Sequence, residues 1–383
     1  MLNLVIFLAV LSVLVLIHEL GHFLAARSFG VKVDEFGYGF PPRAIGFIRQ
    51  FGKWKRVRKE DEGPHTSTIW SLNWLPLGGF VRLKGEDGRT REPDAFITQT
   101  IPKRFIILAA GVAMNWLLAA VIFSVGFAIG VPVQTDGLPN GAIARNPRVQ
   151  ITDVGDDSAA ASVGMQAGDF IIKIEGTDIT RREQVQNAFM SDQVVRVLFE
   201  QDNQLKEVTV QPKFVPELNR SGLGVGLADT GIVRFPWYQA IGQGFITTAR
   251  YTKLIVVGLG TLVKELVVDR HVSSDVSGPV GIAVLTGKIA HQGLWPLMQL
   301  MALLSINLAL INFLPIPALD GGRVLFLIIE AIRRKQVNQR IESMVHQIGF
   351  IALLILIAIV TANDIRQYGG VIWTGLKHLI VRS

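Results

Sequence analysis

Four long stretches of the chain contain no aspartate, glutamate, lysine or arginine, apart from one glutamate in the first. They are residues 1–26, 105–135, 289–319 and 343–363. Each reaches the length of about 20 apolar residues that a helix needs to cross the hydrocarbon core of a bilayer. Hydrophobic residues make up 49% of the chain and charged residues only 18%. The sequence therefore predicts a polytopic α-helical membrane protein with about four transmembrane helices.

The charges between the predicted spans indicate which connections face the cytoplasm. Residues 27–104 carry 15 Lys and Arg against 9 Asp and Glu, whereas residues 136–288 carry 15 against 17. The positive-inside rule places the first connection, and the short one at 321–342 with its "RRK", in the cytoplasm. The N-terminus and residues 136–288 are then extracytoplasmic. The net charge of +7 is thus explained by topology and does not indicate a nucleic-acid partner.

The segment between the second and third spans is predicted to contain a small β-rich domain, at residues 136–232. Short β-type runs alternate there with Gly and Asp turn signals. Its portion "MQAGDFIIKIEGTDI" resembles the PDZ family, whose domains bind extended chain ends or segments by adding a strand to a sheet edge. A generic β domain with the same turns is the alternative.

The remaining segments complete a division into two membrane halves, residues 1–135 and 289–383. Residues 233–288 are expected to form an amphipathic connector on the membrane surface, because Arg250 and Lys253 interrupt its apolar letters. In the first connection, "IWSLNWLPLGGFVRLKGE" indicates a membrane-associated β hairpin rather than a helix. The first span lacks the basic start of a secretory signal, so we expect a retained anchor.

The first span also contains "HELGH", which sets two histidines and a glutamate in an apolar run. His18 and His22 are four residues apart, so a helix presents both imidazoles on one face. Ionisable groups at the centre of a span cost about 2.5–3.5 kcal/mol each on insertion scales, which favours a function over a structural polar cluster. The spacing is typical of two zinc ligands, with Glu19 as the general base of a peptidase.

A catalytic zinc needs a third protein ligand and an open position for water. The chain has no cysteine, so this ligand must be His, Asp or Glu. Asp320 ends the third span in "NFLPIPALDGG", which the topology brings to the depth of the two histidines. His346 is the rival ligand, and an N-cap role is the alternative for Asp320. The other candidates fall outside the spans or at the wrong end of one; they are Glu35, His65, His271, His291 and His378.

Polar residues and prolines near these ligands are candidates for binding substrate. Pro315 and Pro317 break the helix and leave carbonyls that only a protein-lined polar site tolerates at membrane depth. Asn312 precedes the break and could hold substrate backbone or an oxyanion, or make a helix–helix hydrogen bond. Asn115, in "GVAMN" of the second span, has the same two alternatives, and its spacing from Gly111 also suits close helix packing.

In this combination and order, the motifs resemble the site-2 proteases, which are bacterial intramembrane zinc metalloproteases, and in particular the regulator-of-sigma-E type. The motifs are "HELGH", "GVAMN", one PDZ-like insert, "SGPVGI" at 277–282 and "NFLPIPALDGG". The resemblance implies zinc on His18, His22 and Asp320, with Glu19 as general base. It also implies a substrate-contacting Asn312 and a membrane-embedded β hairpin. The chain has room for one PDZ domain, where the best-known enterobacterial member carries two.

What this family cleaves gives the expected partners and location. The resemblance implies cleavage of single transmembrane helices, such as those of anti-sigma factors already shortened by a site-1-type protease, or of remnant signal peptides. It implies a multi-pass protein of the bacterial inner membrane with its active site toward the cytoplasm. An inactive PDZ scaffold and a metal transporter are the rival classes, and a general base directly beside a ligand histidine argues against both.

Overall fold

The computed structural model describes residues 2–57, 67–86, 88, 90–135, 142–191, 193–201, 204–215, 220–265, 268 and 278–380. The chain divides into two compact units. Unit 1 combines Met1–Ile122 with Phe245–Ser383, and unit 2 is Phe123–Gly244.

Long apolar helices dominate unit 1. The helices of the described chain are α1 (Leu2–Ser28), α2 (Ile101–Ile129), α3 (Ala159–Ser162), α4 (Arg182–Ala188), α5 (Trp237–Lys264), α6 (Pro279–His291), α7 (Leu294–Phe313), α8 (Asp320–Arg333) and α9 (Gln339–Ile380). A 3₁₀ turn covers Phe96–Thr98. Among these, α1, α2, α7 and the first part of α9 are long and apolar enough to cross a membrane, over Asn3–Ser28, Ile101–Ile129, Leu294–Phe313 and Gln339–Arg366. The predicted number of spanning helices agrees with these four.

The third predicted span begins later than the apolar run suggested. The run from residue 289 is divided between α6, which ends at His291, and α7, which begins at Leu294. Gly293, with φ +119°, makes the break, in a conformation that only glycine adopts without strain. Composition alone could not place this boundary, because both helices are apolar.

A three-stranded sheet follows α1 in unit 1, in the order β2–β1–β3. Its strands are β1 (Val33–Gln50), β2 (Lys53–Val57) and β3 (Ile69–Leu83). β1 and β3 pair from Val33 with Leu83 to Ile48 with Ile69, with several register shifts between. This sheet confirms a strand-rich structure for the Trp-rich segment, and its place in the membrane stays a prediction.

The core of unit 1 joins α1, the sheet, α2 and α8. Phe23 of α1, Phe36 of β1, Ile107 of α2 and Leu327 of α8 are buried in one cluster. At Gly21, a Cβ atom would lie 2.7 Å from the carbonyl carbon of Ala110, so α1 and α2 approach backbone to backbone. Small residues allow this approach in helices that have no hydrophobic drive to associate within lipid.

Unit 2 contains an antiparallel sheet in the order β4–β12–β5–β6–β8–β9, with β7 paired to β6. The strands are β4 (Val131–Gln134), β5 (Ile143–Val154), β6 (Phe170–Ile174), β7 (Thr177–Asp178), β8 (Val195–Gln201), β9 (Gln204–Val210) and β12 (Val225–Arg234), and β10 (Lys213–Val215) pairs with β11 (Arg220–Gly222) separately. Alternate residues of β8, namely Val195, Val197 and Phe199, are buried, as expected for a strand with one face on a core. The β-rich fold predicted for this segment is therefore present.

The connector predicted at 233–288 contains a long helix. Residues 237–264 form the helix α5, as expected, and its position on a membrane surface stays a prediction. Ser277, which opens "SGPVGI", lies outside the described residues, as do residues 136–141 at the predicted start of the β-rich domain.

Candidate metal centre and active site

The two histidines of "HELGH" lie next to each other in the interior of unit 1. Both are on α1, and only 5% of His18 and 6% of His22 are exposed. Their Nε2 atoms are 3.2 Å apart, and the rings meet edge to face with centroids separated by 4.8 Å. The i, i+4 spacing of the motif therefore brings two ring nitrogens to one point, as the sequence predicted.

Asp320 brings a carboxylate to the same point from the far end of the chain. Its Oδ2 lies 2.9 Å from Nε2 of His18 and 3.3 Å from Nε2 of His22. Asp320 is the first residue of α8, and the N-cap is Leu319, which makes no side-chain cap. The alternative role of Asp320 as an N-cap is thus wrong, because its carboxylate turns to the histidines.

These three side chains fit a zinc ion. Their ligand atoms lie within 4.8 Å of one another. Among the described residues, these three form the one group of His, Asp and Glu side chains that could hold a metal ion. Tetrahedral zinc with bonds of about 2.0–2.1 Å requires neighbouring ligand atoms about 3.3 Å apart. The observed separations of 3.2, 2.9 and 3.3 Å approach this value without rearrangement of the backbone.

Helix α2 contacts the Nδ1 atoms of both histidines. His22 donates from Nδ1 to the carbonyl oxygen of Ile107 at 2.8 Å, which leaves its Nε2 free as a ligand. Asn115 is fully buried, and its amide lies 3.4 Å from Nδ1 of His18. Between them, Gly111 has no side chain, and a Cβ atom there would lie 2.8 Å from Nε2 and Cε1 of His18.

Glu19 lies on the side of the site that faces β3. A Cβ atom at Gly79 would be 3.7 Å from Cγ of Glu19, and the backbone amide of Val81 lies beside the carboxylate. Glu19 is partly exposed, in contrast to the two buried histidines. Strand β3 therefore places backbone polar groups beside the carboxylate of Glu19, the one acidic residue of "HELGH".

The segment between α7 and α8 carries the predicted substrate-binding residues. Asn312, in the last turn of α7, has its amide nitrogen 3.4 Å from Nε2 of His18. Helix α7 ends at Phe313, just before Pro315, as the prolines predicted. Gly321 allows α8 to begin against this segment, since a Cβ atom there would lie 2.5 Å from the carbonyl carbon of Phe313.

The rival ligand His346 does not reach the metal group. Its Nδ1 accepts a hydrogen bond of 2.9 Å from the backbone N–H of Ala318, two residues before Asp320. Ala318 has φ +81°, a conformation that costs energy for a residue with a Cβ atom. His346 therefore supports the segment that presents Asp320.

Among the remaining candidate ligands, Glu35 is bonded to Arg43. Glu35 is buried and accepts hydrogen bonds of 2.9 and 2.6 Å from Arg43. Burial alone would raise the pKa of Glu35, but hydrogen bonds from Arg43 and Ser71 and the charge of Arg43 outweigh it, so the pKa lies below its usual value. His65 and His271 lie outside the described residues, and His291 and His378 belong to α6 and α9.

The fold and the site together define a class of protein: a metallopeptidase with two ligands on a helix that is long and apolar enough to cross a membrane. Comparison with known proteins gives the family. The model of peptidase family M50 matches residues 6–58 and 60–356. The chain belongs to peptidase family M50, the site-2 proteases. It is a zinc metalloendopeptidase with Zn2+ as its cofactor, and it is an integral membrane protein.

Relatives match along almost the whole chain. Zinc metalloprotease RasP of Geobacillus kaustophilus is 29% identical over 451 residues, which cover 96% of this chain and 98% of the relative. A protein of Brucella suis is 31% identical over 386 residues, covering 94% of each chain. A PDZ domain of an SdrC-like protein from Listeria monocytogenes covers 21% of this chain and 85% of its own, with 22% identity and a TM-score of 0.19.

Sequence reasoning missed two contributions to this site. Ile107 acts through a backbone carbonyl, which leaves no mark on residue type, and His346 acts through a hydrogen bond to a segment 28 residues away. A signal was present for the first: residues 107, 111 and 115 recur every four positions and so share one face of α2.

Proposed function

We propose that this membrane metallopeptidase hydrolyses peptide bonds within transmembrane helices of other proteins, with zinc on His18, His22 and Asp320 and with Glu19 as general base. The observation that supports this most directly is the meeting of these three ligand atoms at one point. His18 and His22, with Glu19 between them in the chain, lie on α1, which is long and apolar enough to cross a membrane. A peptidase built in this way meets its substrate within the bilayer.

Glu19 carries the proton transfers in this proposal. When bound, zinc supplies a Lewis acid that polarises the scissile carbonyl and lowers the pKa of water toward neutrality. Glu19, directly beside the ligand His18 in the chain, takes the proton from the attacking water and later delivers it to the leaving amine. Its partial exposure suits a group that must exchange protons at each turnover.

A helical substrate must unwind before cleavage, because its carbonyls are held in i to i−4 hydrogen bonds. β3 lies at the edge of its sheet and beside Glu19, so an unwound segment can add to it as a further strand. Pro315 and Pro317 keep the opposite segment open, and Asn312 offers an amide to the substrate backbone or the developing oxyanion.

Water reaches the site through a polar cavity in this proposal. A cavity of about 670 Å³ extends along β3, α8 and α9, and charged or polar side chains such as Arg82, Arg323 and Gln347 line it. It touches Ala318, next to the segment that ends at Asp320. Hydrolysis within a membrane requires such a route because lipid excludes water.

The β-rich domain at 136–232 is proposed as a PDZ-type domain that binds extended chain segments. A groove of about 220 Å³ lies between α4 and the segment 221–225, lined by Val185, Phe189 and Leu223 among others. An apolar groove beside a strand is suited to an added peptide strand whose side chains enter it.

The remaining parts of the proposal concern partners and location. Substrates are single-span proteins such as anti-sigma factors, first shortened outside by a site-1-type protease, or remnant signal peptides. The protein lies in the bacterial inner membrane with the PDZ-like domain at 136–232 outside and the active site toward the cytoplasm, which the basic connections support.

The central test compares the wild type with Glu19→Gln in the full chain purified in detergent. Both are assayed for cleavage of a single-span model substrate and for bound zinc, and Glu92→Gln, at an exposed glutamate in an ion pair with Lys84, is the matched control. We expect Glu19→Gln to keep its zinc and lose cleavage, while Glu92→Gln stays active. Zinc in the wild type, with equal cleavage by wild type and Glu19→Gln, would refute the general-base role.

Two further measurements test the partners and the topology. A substrate with its extracytoplasmic domain removed should be cut faster than the intact one; equal rates would argue against a required upstream protease. Because the chain lacks cysteine, single cysteines at Gln204 and Lys53, both exposed, can be labelled in intact cells with an impermeant reagent. Labelling of Lys53→Cys but not of Gln204→Cys would invert the proposed topology.

A further inference from the structure

Asn115 is the polar side chain that α2 places behind His18. It is fully buried, on the α2 face that also contains Gly111 and Ile107. Its backbone carbonyl accepts a hydrogen bond of 2.8 Å from Ser305 of α7, which fixes this turn of α2. A residue with no exposed surface is poorly placed to touch substrate, so its contact with His18 calls for another explanation.

The hydrogen-bonding capacity of Asn115 is incompletely used as its amide now stands. Its Nδ2 lies 3.4 Å from Nδ1 of His18, and its Oδ1 has no hydrogen-bond partner among the described residues. If Nδ2 of Asn115 donates in this arrangement, Nδ1 of His18 is the acceptor and the ring proton lies on Nε2, which faces Asp320 at 2.9 Å. That tautomer has no lone pair on Nε2 for a metal.

Metal binding through Nε2 requires the other tautomer. The ring proton must then be on Nδ1, and a zinc-bound histidine usually donates it to a carboxylate, carbonyl or water. Rotation of the Asn115 amide by 180° exchanges Nδ2 for Oδ1 and supplies the acceptor. The rotation breaks no hydrogen bond of Oδ1, because Oδ1 has none among the described residues.

We propose that Asn115 is a positioning residue: its Oδ1 accepts the Nδ1–H of His18 and so holds Nε2 ready for zinc. The inference rests on the proposed zinc site and replaces a substrate-contacting role for this residue. The carbonyl of Ile107 does the same for His22. One face of α2 thus orients both imidazoles, with Gly111 leaving the space that the rings occupy.

The test measures zinc affinity, which a substrate-contacting residue would not change. The full chain in detergent is stripped of zinc and titrated against a competing chelator, as wild type, Asn115→Leu and Asn115→Asp. Leucine is close to asparagine in size but accepts no hydrogen bond, whereas aspartate keeps the acceptor. We expect the zinc Kd of Asn115→Leu to rise about 10- to 100-fold and that of Asn115→Asp to stay within about threefold of wild type, or to fall.

Controls separate positioning from packing. Ser305→Ala removes the hydrogen bond to the backbone of the same residue, so we expect it to lower the melting temperature without a tenfold change in zinc Kd. If Asn115→Leu does not fold, Asn115→Ala takes its place. Unchanged zinc affinity in the folded apolar variant, with zinc in the wild type, would overturn this inference and leave the proposed function intact. A wild type that binds no zinc would overturn both.

Discussion

Gly111 gives the sharpest prediction about the site, because a single methyl group there enters the space of both imidazoles. The Cβ atom of Gly111→Ala would lie closest to Nε2 of His22, and 2.8 Å from Nε2 and Cε1 of His18. Ordinary contact begins at 3.4 Å, so His18 must retreat by about 0.6 Å and His22 by more. Metal sites tolerate departures of about 0.2 Å in ligand distance. The metal-free protein can therefore relieve the contact, and the zinc-bound one cannot.

The expected magnitude follows from this difference. Overpacking in a close-packed interior costs about 1–3 kcal/mol, and this cost falls on the zinc-bound state. The zinc Kd should therefore rise about 5- to 150-fold, with cleavage lost at limiting zinc. The assay is the titration of the detergent-purified full chain against a competing chelator, together with cleavage of a single-span substrate at the same zinc concentrations.

The matched control is another glycine in a helix. Gly258 lies in α5, and a Cβ atom added there would have no atom within 4 Å. Gly258→Ala should therefore leave zinc affinity unchanged and stabilise the helix by about 0.5–1 kcal/mol. If Gly111→Ala binds zinc within twofold of the wild type, the imidazoles do not lie over Gly111 when zinc is bound. The packing of α1 on α2 around Gly111 would then be wrong for the active state.

Three further predictions concern the elements that support the site. His346→Phe removes the acceptor for the N–H of Ala318 and should weaken zinc binding, whereas His346→Asn, which keeps an acceptor, should weaken it less; equal zinc Kd values would refute this role. The pKa of Glu35 is lowered in the folded state. The ionised carboxylate therefore stabilises the fold above its ordinary pKa near 4.5, and this stabilisation is lost as the pH falls through the pKa of the folded state. Thermal melts between about pH 6 and pH 3 should show a fall in melting temperature that is smaller in Glu35→Gln. Arg104 and Glu330 form a buried ion pair between α2 and α8. Glu330→Leu leaves the Arg104 charge buried without its partner and should destabilise the fold by about 3–5 kcal/mol. The double variant Arg104→Met/Glu330→Leu should recover stability, as measured by chemical denaturation.

The sequence predicted the parts of this protein that depend on a run or a fixed spacing. Four apolar stretches were enough to predict four spanning helices, and the i, i+4 spacing brought His18 and His22 together. Asp320 required a further step, because only the up-and-down path of the chain places a residue 302 positions from His18 at the same depth. That step relied on the different charges of the connections between the spans, which predict the side of the membrane on which each connection lies. This is a property of whole connections and not of local structure.

Other features could not be predicted, because they depend on one atom or one dihedral angle. The end of α6 could not be predicted because no charged residue interrupts the run from Ile289 into α7, and the φ of Gly293 marks the break between the two helices. The role of His346 was ambiguous because depth alone cannot distinguish a metal ligand from a partner of the backbone. Asn115 stayed open between substrate contact and helix packing, because composition does not reveal that its side chain has no exposed surface.

The three ligands come from two helices, His18 and His22 from α1 and Asp320 from α8, and helix geometry explains why the motifs occur in separate parts of the chain. A helix can present two ligands four residues apart, but a third ligand on the same face would be a further turn away and beyond the reach of one ion. The third ligand must therefore come from another element, and one that can be placed independently of α1. Asp320 satisfies this because it begins a helix after a segment that Pro315 and Pro317 release from α7. In the proposed mechanism the same break also leaves backbone available to the extended substrate, so one departure from helical structure serves both the metal and the substrate.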